Sequence, residues 1–424
     1  MEDEGAPPTP VPPAVEPAPA EASERLVHVD ILRGFALLGI LLVNISNFKS
    51  STMPFMPASG STLDRWVDAL VSLLVEGKFY PIFVFLFGMG MALQGMRVEA
   101  RGIRPKRFLA RRLLALLVIG VTHAVLIWSG DILAMYALAG LVLLLFYSAQ
   151  PKTLLTLAIV LWSLQLVCCG APAGVFWALS MDAEMQKSLQ PANQMLAEAF
   201  QQISESAKRA YAQGSYLDAL RYRVVEWLQI VVFGYMAFLL NIASIFLLGM
   251  YVARTGLLHN LENSRQLWGK LALALVPVGL ATNALYAYTV TAGGVRENLT
   301  ALFAAMWLFM AFGPVLSVGY IALFALMLRS EELQKRLQWL ASVGRLALTN
   351  YLLQSIVCTL IFYNYGLGLY GKVGAAAGAV LAVGIFSLQA MFSVWWTQRY
   401  RFGPAEWLWR TLTYGRRQPM RLQA

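Results

Sequence analysis

The sequence predicts an all-α, polytopic membrane protein with about ten transmembrane helices and both termini in the cytoplasm. Three observations lead there. Of its 424 residues, 58% are hydrophobic and only 13% are charged, where an ordinary soluble domain carries roughly a quarter charged residues. The apolar residues gather in long continuous runs of membrane-spanning length, and a membrane β-barrel would show short alternating segments instead. Finally, the basic residues fall unevenly on the two sides of those runs. One soluble core cannot bury this much apolar surface, so a soluble enzyme is excluded, and a disordered chain is excluded by the same composition.

Residues 1–24 hold seven prolines, six acids and no Lys or Arg. This reads as a disordered, acidic, Pro/Ala-rich tail, and it lacks the basic start of a signal peptide. The first apolar run then serves as an uncleaved anchor. A bilayer core of about 30 Å takes roughly 20 apolar residues per helix. On that measure the transmembrane domain, 25–398, contains spans near 31–48, 79–97, 109–128, 131–148, 153–179, 226–253, 269–291, 301–328, 346–369 and 373–397. Residues 64–75 are amphipathic and are expected at the interface before the second span. The Ser129-Gly130-Asp131 turn is short enough that 109–148 could be one bent hairpin. The long loop 180–225 carries five acids and five bases; it is expected outside, helical, and either a lid or a passive connector.

Of the 33 Lys and Arg, 23 fall on one side if the N-terminus is inside. The positive-inside rule then calls for an even number of spans and a cytoplasmic C-terminus. The basic tail 399–424, with Trp407 and Trp409 interleaved, reads as an inner-leaflet segment that meets anionic lipid headgroups, and nucleic acid is not an expected partner. Cys168, Cys169 and Cys358 lie in apolar runs without zinc or disulfide spacing and read as small hydrophobes. No metal site, phosphate loop, nucleophile elbow or dinucleotide fingerprint is present. No internal repeat of the kind common in transporters is visible.

Polar groups inside spans are costly, so each requires a reason. His123 lies about eleven residues past Arg112, roughly 16 Å along the helix, towards the outer face. Asp131 follows just after the tight turn. Such a pair can act as an oriented general base, or it can simply lock two helices together. Glu76 and Lys78 precede the second span and are expected at the outer face, as a salt bridge or as part of a polar pocket with His123. Asn44 lies in the outer half of the first span. Arg33, at its inner end, can pair with Asp30 one turn earlier or clamp a phosphate. Asn350 and Gln354, one turn apart in the ninth span, could line a passage or bond neighbouring helices.

Several of these stretches resemble a bacterial family together: RLVHVDILRGFALLGILLVNI, EGKFYPIFVFLFGMGM, WSGDILAMYAL, GRLALTNYLLQS and FGPAEWLWRTLTYG. Their order and spacing, over about 25–415, are similar to YeiB-like multi-pass membrane proteins, a domain of unknown function. The first half is also distantly similar to the heparan-α-glucosaminide N-acetyltransferase group. That likeness implies acyl transfer from a cytosolic acyl-CoA, as co-substrate with no covalently bound cofactor, to an acceptor across the membrane. The group's catalytic histidine lies between its first two spans; residues 49–78 here contain none, so the role passes to His123. The expectation is an acyltransferase of the bacterial inner membrane with a lipid or sugar acceptor. In it His123 and Asp131 are catalytic, Arg33, Asn350 and Gln354 face the CoA, and Glu76, Lys78 and Asn44 face the acceptor. The alternative is a transporter of a small or lipidic solute, with Glu76, His123 and Asp131 carrying protons.

Overall fold

The computed structural model describes residues 26–50, 60–292 and 294–422; the acidic tail 1–24 lies outside the described residues. Among these residues the chain is all helical, apart from a single bridge between Tyr400 and Arg421. Helix α1 is Val27–Lys49, α2 Thr62–Leu74, α3 Phe79–Ala100, α4 Pro105–Leu126 and α5 Leu133–Leu143, which a tight turn extends to Phe146. The long α6, Pro151–Met181, leads to α7 (Ala183–Ser188), α8 (Gln190–Ala207) and α9 (Tyr216–Gln229). Then come α10 (Tyr235–Thr255), α11 (Arg265–Ala292) and α12 (Leu299–Met327). The chain ends with α13 (Glu331–Arg336), α14 (Gln338–Arg345), α15 (Ala347–Phe362), α16 (Ala375–Thr397) and α17 (Pro404–Tyr414).

Local chemistry sets these limits. Capping boxes open α2 (Ser61 with Asp64) and α9 (Ser215 with Asp218). Proline stands in the first turn of α4, α6 and α17, where its missing N–H costs nothing. Left-handed Gly256 and Gly415 end α10 and α17.

Among the described residues eight helices are long and apolar enough to cross a bilayer: α1, the continuous stretch Thr62–Ala100, α4, α6, α10, α11, α12 and α16. A ninth forms if α14 and α15, bent by 78°, count as one span. The chain is therefore a multi-pass membrane protein whose helices meet the lipid bilayer. Two of the ten expected spans differ in form. The fourth, 131–148, is the short apolar helix Leu133–Phe146. Asp131 Oδ1 accepts the Ala134 N–H at 2.7 Å and starts it late; Arg254 donates to the Tyr147 and Ala149 carbonyls and marks its end. The ninth, 346–369, is the shorter α15, ending at Phe362, and α14 precedes it across a bend at Arg345–Leu346. The amphipathic 64–75 segment packs under α11 and α16 and continues towards α3 through a turn at left-handed Gly77. Residues 183–229, over the loop expected outside, form α7, α8 and α9 with a short turn of wider helix between the last two. Of the cysteines, only Cys358 is buried.

The helices approach most closely where side chains vanish. A Cβ on Gly34 would lie 2.1 Å from the Leu340 carbonyl oxygen, and one on Gly344 would lie 2.0 Å from that of Asp30. Small residues allow such backbone contact, which is how helices associate where lipid offers no hydrophobic drive. This crossing brings Arg33 and Arg345 to one cleft.

Candidate functional site

His123 stands in the last turn of α4, and Asp131 stands just before α5. Gly120 lets the two helices touch: a Cβ there would sit 2.4 Å from the Ala134 nitrogen. His123 Nδ1 and Asp131 Oδ2 are 2.7 Å apart, and both residues are 2% exposed. An ionised carboxylate only accepts, so Nδ1 carries the proton and Nε2 is left as the basic nitrogen. Nε2 has no hydrogen-bond partner among the described residues. The other carboxylate oxygen is engaged at the start of α5, so the orienting group is itself held in place.

The His123 ring lies 5.3 Å from that of Tyr351 on α15, and the Tyr351 hydroxyl accepts the Ile132 N–H at 3.4 Å. Tyr351, Ile132 and Tyr136 form one end of a cavity of about 230 Å³. Its middle is apolar, with Phe83, Leu86, Phe87 and Leu116. Its other end carries four arginines from four elements: Arg33 on α1, Arg112 on α4, Arg345 on α14 and Arg410 on α17. Arg33 Nη1 also donates to Asp30 at 2.8 Å. Arg112 lies over the Trp409 ring, 3.5 Å from its centroid, and the Trp409 indole donates to the Arg112 carbonyl at 2.8 Å. Glu406 accepts the Leu348 N–H at 2.7 Å, the Thr349 N–H at 3.1 Å and the Thr349 hydroxyl at 2.5 Å. It thereby ties α17 to the first turn of α15. Burial pushes the Glu406 carboxyl above its usual range, and these hydrogen bonds partly offset it.

The cavity thus joins a cationic end to Tyr351, whose ring neighbours that of His123. Of the residues singled out in the sequence, Arg33 lines the cavity, while His123 and Asp131 lie behind its Tyr351 and Ile132 rather than in its lining. Asn350 and Gln354 face α16 instead: Asn350 donates to Ser393 at 2.9 Å and Gln354 to Gln389 at 2.9 Å. Asn44 is half-buried in α1, away from the cavity lining. Glu76 and Lys78 lie elsewhere, at the break between α2 and α3. The fully buried Lys78 donates to the Ser72 carbonyl at 2.6 Å, and its own carbonyl accepts from Ser317 at 2.7 Å, near the midpoint of α12. They sit deeper than the outer face, because Gly77 nests against Phe309 and Gly313 in α12.

Sequence reasoning missed Arg112, Arg345 and Arg410 as site residues, since each reads as an ordinary flanking charge at a span end. It also placed Trp409 and Glu406 in a lipid-facing tail. A carboxylate inside the amphipathic segment PAEWLWRTLTY was the available signal that α17 packs against protein.

Comparison with known proteins sets these residues in a family. Residues 252–416 match the model described as Protein of unknown function (DUF418), a stretch that contains Arg345, Tyr351, Glu406 and Arg410. The chain is 35% identical over 419 residues to the uncharacterized protein YxaH of Bacillus subtilis (strain 168), covering 95% of this chain and 97% of the relative. It is 30% identical over 410 residues to the uncharacterized protein YeiB of Escherichia coli (strain K12), covering 92% and 96%. An uncharacterized 39.9 kDa protein of Bacillus acidopullulyticus is 28% identical over 410 residues, covering 96% and 98%. With identity at this level running along nearly the whole of each chain, the protein belongs to the YeiB-like family of multi-pass membrane proteins.

Proposed function

We propose that the protein is a bacterial inner-membrane acyltransferase that moves an acyl group from cytosolic acyl-CoA to a lipid or sugar acceptor near the outer face. The observation that carries this reading is the cavity with four arginines at one end and Tyr351, the neighbour of His123, at the other. Guanidinium groups suit phosphates, which they bind through paired hydrogen bonds. The apolar middle suits the pantetheine arm and the acyl chain. His123 Nε2 would take the proton of an acceptor hydroxyl or amine, with Asp131 holding the ring and stabilising the imidazolium. The acceptor atom attacks the thioester carbonyl, the C–S bond breaks, and His123 returns the proton to the departing thiolate. Tyr351 must turn aside for the thioester to reach the ring.

The test uses purified full-length protein in proteoliposomes with radiolabelled acetyl-CoA. Saturable binding that weakens in Arg112→Ala, and label that reaches lipid, added sugar or the protein itself, support the proposal. Absence of both binding and transfer defeats it. A second reading, transport of a small or lipidic solute, draws on the fully buried Lys78 beside Glu76, since an ionisable group within the membrane marks ion or proton paths. Solute flux abolished by Lys78→Met, without acyl transfer, would favour it.

A further inference from the structure

A second polar cluster lies on the other side of the His123–Asp131 turn, under the external helices. α9 presents Arg223 and Glu226 three residues apart on one face, and both are buried, at 0% and 7% exposure. Arg223 Nη1 donates to the Leu126 carbonyl at 2.5 Å, at the end of α4, where helical carbonyls lack partners. Glu226 Oε2 accepts from the Ser129 hydroxyl at 2.5 Å and from the Tyr211 hydroxyl at 2.6 Å. Tyr211 stacks on Tyr363 with centroids 4.3 Å apart, and Tyr370 approaches it at 6.0 Å. Ser129 and its neighbour Trp128 belong to the same turn as Asp131.

Around this knot several buried atoms have no hydrogen-bond partner among the described residues. They are the hydroxyls of Tyr363 and Tyr370, Nε and Nη2 of Arg223, and the indole nitrogen of Trp128. Folded proteins satisfy nearly all buried polar groups, and each exception asks for an explanation. Two of the exceptions are neighbours: the Tyr363 and Tyr370 rings lie 6.2 Å apart, and both lie against Tyr211, which bonds Glu226. The exceptions include pure donors, from the guanidinium and the indole, and hydroxyls that both donate and accept. The Arg223 and Glu226 charges offset each other, so nothing selects a charged ligand. The matching partner is neutral and offers several hydroxyl groups.

We propose that this cluster binds a small neutral polyhydroxylated molecule, covered by α8 and α9, as the acceptor for His123. The acceptor role rests on the acyl-transfer reading; the binding site does not. In that role a ligand hydroxyl oxygen forms the new ester bond as the thioester C–S bond breaks, and its proton leaves on His123. The external helices cover the cluster in this structure, so exchange requires α9 to lift from the turn, releasing the Arg223–Leu126 and Glu226–Ser129 contacts.

The test uses the full-length protein in lipid nanodiscs with glycerol, myo-inositol and glucose as probes, read by intrinsic fluorescence. Tyr363→Phe and Tyr370→Phe are the variants, because they remove only hydroxyls that have no hydrogen-bond partner among the described residues. Saturable binding of at least one probe is expected, weakened tenfold or more by each variant, with thermal midpoint and acetyl-CoA affinity unchanged. No saturable binding of any probe overturns the site. So does binding that the variants leave intact, or variants that lower the thermal midpoint without changing binding. Probe binding that depends on the tyrosines, in a protein that transfers no acyl group, upholds the site and overturns the acyl-transfer reading alone.

Discussion

At the residue scale, Asp131 has two tasks that substitution can separate. One carboxylate oxygen opens α5 and the other fixes the His123 tautomer. Asp131→Ala loses both. It is expected to destabilise the protein by about 1–3 kcal/mol, through the lost cap and the unmet Nδ1–H, as read by unfolding in detergent micelles. Asp131→Asn can keep the cap but gives the ring a less certain tautomer, so stability should hold while acyl transfer falls. His123→Ala removes the base, and transfer should drop by about 10²–10⁴-fold with acetyl-CoA affinity unchanged. If both His123→Ala and Asp131→Asn transfer at the parent rate, the pair serves only to join α4 to α5. Sequence alone pointed to this pair because an ionisable group in a span is rare enough to stand out. It could not point to the arginines, since Arg112, Arg345 and Arg410 gain their meaning only when four separate elements converge.

At the element scale, the glycine crossing of α1 and α14 and the docking of α17 carry the site. Gly34→Ala would force a methyl group into the Leu340 backbone carbonyl, which cannot rotate away. A loss of about 1–3 kcal/mol is expected from overpacking. Gly269→Ala in α11, where nothing lies within 4 Å, should instead be neutral or slightly stabilising, because alanine favours the helix. Equal melting behaviour of the two variants would contradict this reading of the crossing. The tie from α17 to α15 adds a pH dependence. The Glu406 carboxyl is raised above its unfolded value, so the unfolded state gives up its proton first as pH rises. The contribution of Glu406 is therefore fully present below the ordinary carboxylate range and declines as pH climbs through the raised value. Glu406→Gln, which cannot ionise, should flatten that part of the stability–pH profile; an unchanged slope would place the titration elsewhere. Helix positions were legible in the sequence because hydropathy marks long apolar runs directly. The short α5, the bend at Arg345–Leu346 and the packed α17 were not. Their form depends on tertiary bonds from Asp131, Arg254 and Glu406 to distant backbone.

At the scale of the whole molecule, the short α5 decides how the chain is threaded. One end is set by the His123–Asp131 turn. Beyond its other end, Tyr147 donates to Glu99 at 3.0 Å, at the basic end of α3, and Arg254 reaches the Tyr147 carbonyl from the end of α10. α5 therefore links the two faces of the bundle although the 14 residues of Leu133–Phe146 rise only about 21 Å, less than the roughly 30 Å of a bilayer core. The His123–Asp131 turn is covered by α9, whose Arg223 and Glu226 engage the Leu126 carbonyl and the Ser129 hydroxyl. If α5 and the bent α14–α15 pair cross as well as the eight long helices, the number of crossings is even, which is what the basic residues gathered on one side call for. Both ends of the described chain should then lie in the cytoplasm, and the exposed Met195 on α8 should lie outside. On a background with Cys168, Cys169 and Cys358 replaced by Ala, Met195→Cys should react with a membrane-impermeant maleimide in intact cells. A cysteine in place of exposed Arg417 should react only after permeabilisation. Labelling of both sites in intact cells would mean an even number of crossings between them, where α10, α11, α12, the bent α14–α15 pair and α16 make five, and would place the arginine end of the cavity away from cytosolic acyl-CoA.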